Sequence, residues 1–109
     1  MGYDFYGHGY ECLNESGWSS CFDLAIKYGW QPAGTAPPDD CDVWNGGYFS
    51  NDFQKVEDSD ARALGEALLR GIAMEEARER DNPSRWPNDW LRRLRGFAEF
   101  AIKGGFLIG

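Results

Sequence analysis

WNGGYFSNDFQKV, residues 44–56, sets aromatics, two adjacent glycines, an Asn-Asp pair and a glutamine among short apolar pieces. As backbone, Tyr48-Phe49-Ser50 and Gln54-Lys55-Val56 are strand-like runs around Asn51-Asp52-Phe53, a spacing that predicts a short hairpin. Asn and Asp tolerate turn dihedrals and bond their own backbone, so their presence needs no ligand. On this reading Tyr48, Phe49 and Phe53 are lids over a small core, and Asn51 and Gln54 satisfy turn backbone. As chemistry, Trp44 and Tyr48 beside Asp39, Asp40 and Asp42 have the makeup of an interface, aromatic anchors ringed by charge.

Around this stretch the pattern is helical. Upstream, Trp18, Cys21, Phe22, Ala25 and Ile26 keep an i, i+3, i+4 spacing that predicts a helix over 16–28, with Gly29 where a left-handed cap belongs. Before it, MGYDFYGHGYEC shows no helical period and reads as an irregular or short extended lead-in. Between, Pro32, Gly34, Pro37 and Pro38 make a loop. Downstream, the acidic group Glu57, Asp58, Asp60 with Ser59 opens a second helix, 59–80, since these groups satisfy free N–H and oppose the positive helix end. Leu64, Leu68 and Ile72 form its apolar stripe, and Ala63, Ala67 and Gly71 a small-residue ridge for close helix approach. Asp58, Arg62, Glu66, Arg70 and the pair Glu76, Arg80 have i, i+4 spacing. Pro83 and Pro87 break the chain. A third helix, 87–103, buries Trp90, Leu91, Leu94, Phe97, Ala98 and Ala101, and Arg95 can pair with Glu99. Gly104-Gly105 end it, and Phe106-Leu107-Ile108 reads as a last strand that pairs with the hairpin.

The expected fold is therefore α+β: three helices around one core, a short β-hairpin and a C-terminal strand. At 109 residues the chain is read as one domain, 1–109, because a core of this size buries only about 60% of the unfolded surface and does not divide. With 16% aromatic residues it is too rich in large apolar groups for a disordered chain.

Charge is unevenly distributed. Residues 1–60 hold eleven carboxylates against two cations, net -9, whereas residues 61–109 carry +2. That argues against sequence-independent nucleic-acid binding, which rests on phosphate neutralisation, although Arg92, Arg93 and Arg95 stand beside Trp86 and Trp90. A basic protein partner suits the acidic half; net negative charge also serves solubility. Three cysteines, Cys12, Cys21 and Cys41, cannot all pair within the chain, and with no apolar leader this fits a reduced cytoplasm. No apolar run approaches 18 residues, so no membrane span is expected.

YGWQPAGT at 28–35, GGYFSNDFQKV at 46–56, DARAL at 60–64 and FAEFAIKGGFLI at 97–108 together resemble a group of small bacterial proteins of unknown function. That group shows YGW-x-P-x-GT, Y-x-SND-x-Q-x-V, DA-x-x-L and a helix closing on GGF. The resemblance implies a bacterial or phage-like origin and no activity. One departure stands out: the group's pattern has Gly after the Asn-Asp pair, where this chain has Phe53. A left-handed conformation costs a non-glycine residue about 1–2 kcal/mol, so a different turn type is expected.

No catalytic, cofactor or metal constellation is predicted. The cysteines lack paired zinc spacing, Asp39, Asp40 and Asp42 lack the alternate positions of a calcium loop, and no phosphate-binding glycine motif occurs. The expected function is a non-enzymatic interaction module, of inhibitor or immunity type, presenting Asp39, Asp40, Asp42, Trp44 and Tyr48 to a basic partner. The alternative is a small-molecule binder or enzyme using His8, Tyr10 and Cys12, His8 being the sole histidine. Self-association through an exposed aromatic patch is a third reading.

Overall fold

The structure, a computed structural model, describes residues 2–78 and 87–109. The chain break at Pro83, residue Trp86 and the Glu76–Arg80 pair lie outside the described residues. The elements are β1 (Gly2–Gly7), β2 (Gly9–Asn14), α1 (Glu15–Lys27), β3 (Gln54–Val56), α2 (Asp58–Arg78), α3 (Asn88–Ala101) and β4 (Phe106–Ile108). The fold is α+β: three helices and a four-stranded antiparallel sheet in the order β2-β1-β4-β3, with the C-terminal strand between β1 and β3. Among the described residues no helix is long and apolar enough to cross a membrane.

The hairpin exists, but not at 48–56. It is the N-terminal segment, expected to be an irregular or short extended lead-in, that folds back at Gly7-His8-Gly9 and pairs Tyr3 with Leu13 and Tyr6 with Tyr10. Alternation decides it: Tyr3 and Phe5 are buried, and the residues between them face the other way. In the 44–56 stretch only Gln54–Val56 is a strand, and it pairs with β4 on one edge and with Ala36 on the other. Two residues prevent the local hairpin. Tyr48 turns its ring into the core, and the buried Gln54 amide donates to the carbonyls of Ser50 at 2.8 Å and Gly47 at 3.3 Å, groups a strand pair would have used. Its Oε1 accepts the Asp52 N–H at 3.1 Å.

The helices follow their patterns closely. Asn14 caps α1 by accepting the Gly17 N–H at 2.7 Å, and Gly29 takes φ +103° after its last turn. Ile26, expected inside, is exposed, and Leu24 is buried instead. On α2 the stripe Leu64, Leu68, Ile72 is buried as expected; the close approach to α3 is made by Gly65 rather than Ala63, which is exposed. A Cβ on Gly65 would stand 2.8 Å from Ile102 N and 2.9 Å from Ala98 O. Gly71 lies against Leu24 and Tyr28 near the other helix, α1. Arg70 donates to the Tyr28 carbonyl at 3.0 Å, and Arg95 reaches Glu76 at 2.7 Å rather than Glu99.

Trp18, fully buried, centres the core. Its ring lies 5.0 Å from Phe5 and 5.7 Å from Phe97, and its Nε1–H donates to the Tyr48 carbonyl at 2.8 Å. Sheet, helices and the 30–48 loop are thereby joined in one apolar cluster.

Candidate functional site

The sheet has two unlike faces. Inward point Tyr3, Phe5, Leu13, Gln54, Val56, Phe106 and Ile108, all buried. Outward, the register sets Tyr10, Tyr6, Leu107 and Lys55 in one row across the four strands. Phe53, just before β3, extends that row. Tyr6 is 42%, Tyr10 55%, Leu107 36% and Phe53 56% exposed, so the outer face is a continuous aromatic and apolar strip open to water. The rings touch: Tyr6 lies 5.5 Å from Tyr10 and is stacked on Phe53 at 6.3 Å and 24°.

Carboxylates accompany the strip. Asp4 stands next to Tyr6 on β1 and accepts the Tyr10 hydroxyl, a bond that holds the phenol proton well above its ordinary value. At the β3 edge a cleft of about 460 Å³ runs between Pro37, Pro38 and Asp39 on the loop and Asp52, Phe53, Lys55 and Leu107 on the sheet side. Phe53 is in the left-handed region, φ +62°, held there by its N–H donating to Ile108 O at 2.8 Å. A different turn type is expected after Asn51-Asp52 because phenylalanine resists this conformation; instead the left-handed position is kept and Phe53 occupies it.

The five residues singled out from sequence divide into two sets. Asp39, Asp40 and Asp42 are exposed in the loop, Asp40 also at φ +62°. Trp44 is half-buried, its Nε1–H bonded to Thr35 Oγ1 at 2.9 Å, and Tyr48 is only 6% exposed. The Tyr48 hydroxyl donates to Asp60 Oδ2 and accepts the Gly34 N–H at 2.9 Å. Asp60, buried in the first turn of α2, also accepts Trp30 Nε1–H at 3.0 Å and the Ala33 N–H at 3.2 Å on Oδ1. Trp30, Gly34, Thr35, Tyr48, Gln54 and Asp60 thus hold the loop to the core.

His8 and Cys12 are not brought together. His8 is at the hairpin turn and Cys12 is four residues along β2, about 13 Å at strand rise. The Tyr10 hydroxyl is already engaged by Asp4. Cys21 is buried, which pushes its thiol pKa up and leaves it inert. Arg92, Arg93 and Arg95 bond to Asp89, to Glu11 and the Cys12 carbonyl, and to Glu76 respectively. A second concavity, about 560 Å³, opens at Phe49 beside Asn14, Glu15, Ser16 and Ser19, but Asn14 Oδ1 is committed to capping α1.

Tyr6, Phe53 and Leu107 are not expected as surface residues from the sequence, and Tyr10 is expected only beside His8 and Cys12. The available signal was the period-two pattern Tyr3-Asp4-Phe5-Tyr6 ahead of Gly7-His8-Gly9, a hairpin signature. No protein-family model, curated protein or solved structure matches the chain.

Proposed function

We propose that the protein is a non-enzymatic interaction module whose open sheet face binds a basic partner protein in the cytoplasm. One observation carries this: an exposed row, Tyr10, Tyr6, Leu107 and Lys55, extended by Phe53, beside which the carboxylates Asp4, Asp39 and Asp52 outnumber the single cation. Aromatic anchors supply contact area and carboxylates supply sign, so the complementary surface is cationic. Asp39 lines the cleft at this surface and Asp40 and Asp42 are exposed in the same loop, which supports counting all three with it, while Trp44 and Tyr48 act behind it by fixing the loop. A second copy is a poor occupant, because facing carboxylates would repel. The resemblance to small bacterial proteins supports a bacterial origin and adds nothing to the activity.

Selection of a random peptide library on the purified protein tests the reading. Enriched peptides are expected to carry net positive charge and to lose binding to the folded Tyr6→Ser/Tyr10→Ser variant and to Asp39→Asn/Asp40→Asn/Asp42→Asn. Enrichment without positive charge, or unchanged binding to both variants, overturns it.

A further inference from the structure

Resting on that reading, we propose that the cleft beside Phe53 is a receptacle for a single arginine or lysine side chain of the partner. Its lining combines apolar Pro37, Pro38, Phe53 and Leu107 with two carboxylates, Asp39 and Asp52. A long cationic side chain needs this combination: apolar surface for its methylenes, an aromatic face for cation–π attraction, and carboxylates for the head group. At about 460 Å³ the cleft falls within the size range of sites that enclose small groups.

The backbone supplies an independent argument. Of the two non-glycine residues with positive φ among the described residues, Phe53 lines this cleft and Asp40 follows the lining residue Asp39 in the chain. Asp adopts that conformation readily; phenylalanine does not. Burial does not account for Phe53, whose ring is more than half exposed. Its ring stacks on Tyr6 while the residue lines the cleft, so the strain is located at the place of binding. Lys55 shares the lining, so its ammonium competes with an incoming cation for Asp39 and Asp52.

The test is an NMR titration of the ¹⁵N-labelled protein with acetyl-Gly-Arg-Gly-amide and with its neutral citrulline counterpart. The arginine peptide is expected to shift the amides of Asp39, Asp52, Phe53 and Leu107 saturably, and citrulline to bind about fivefold more weakly or less. Phe53→Gly, and separately Asp39→Asn/Asp52→Asn, should each weaken the arginine peptide about fivefold, whereas Lys55→Gln should tighten it about twofold. Native-like spectra of each variant confirm folding. Equal binding of arginine and citrulline, shifts confined to the Phe49 side near Glu15 and Ser19, or no change in the double Asn variant overturns the proposal. If library-selected basic peptides then bind Phe53→Gly normally but fail with Tyr6→Ser/Tyr10→Ser, the cleft is refuted and the surface stands. If they bind both variants normally, both readings fall.

Discussion

Asp60 is the residue on which the 30–48 loop depends. Three donors converge on its buried carboxylate: the Trp30 indole, the Ala33 N–H and the Tyr48 hydroxyl. Asp60→Ala orphans all three and is expected to destabilise by about 3–5 kcal/mol in urea unfolding. Tyr48→Phe keeps the ring but leaves the Gly34 N–H and one carboxylate oxygen short of a partner, for about 1–3 kcal/mol. Phe53→Gly should behave differently. It relieves about 1–2 kcal/mol of left-handed strain and gives up a largely exposed ring, so stability should move by less than about 1 kcal/mol while arginine binding falls. In the sequence Asp60 is visible only as one of several carboxylates at a helix start. That it is the buried one follows from which way the first turn of α2 faces, and periodicity carries no such information.

At the scale of elements, the α2–α3 contact is governed by Gly65. A methyl there meets backbone N of Ile102 and O of Ala98 below 3.0 Å, and backbone cannot rotate away. Gly65→Ala should therefore lower the thermal midpoint, by about 1–3 kcal/mol of overpacking, although alanine is the better helix former. Gly96, on the exposed side of α3 with nothing near its Cα, is the control: Gly96→Ala should stabilise by about 0.5–1 kcal/mol. The α1–α2 contact has a pH signature. Burial first, and then donation to the buried Glu75, pushes the Tyr28 phenol up to about 12. A raised pKa means the contribution is complete below the unfolded value near 10 and is lost as pH climbs toward 12. Thermal unfolding should show that decline, and Tyr28→Phe should flatten it. At the start of α2 the sign reverses. The Gly105 N–H, bonded to Asp58 at 2.7 Å, holds that carboxyl below its ordinary value, so its contribution is present above about pH 4 and lost in stronger acid.

For the whole molecule, the acidic first half and the open sheet face lead to a salt dependence. Raising ionic strength from about 0.1 M to 1 M shortens the Debye length from about 10 Å to about 3 Å, so affinity for the selected basic peptides should fall steeply. Isothermal titration across that range checks it; a salt-independent affinity would leave only apolar contact. Much of the fold was legible in the chain itself: the three helices, their buried stripes, the Gly29 and Gly104-Gly105 stops and the C-terminal strand. These are local properties, set by periods of two and 3.6 residues and by which residues tolerate which dihedrals. Tertiary structure alone decided three things: that the N-terminal hairpin joins β4 on the edge away from β3, that Trp44 is held back against Thr35, and that Tyr6, Tyr10, Leu107 and Phe53 become neighbours on one uncovered face. Sheet order and long-range register arise from the joint packing of both chain ends around Trp18, and no stretch of sequence taken by itself encodes the partner it will meet.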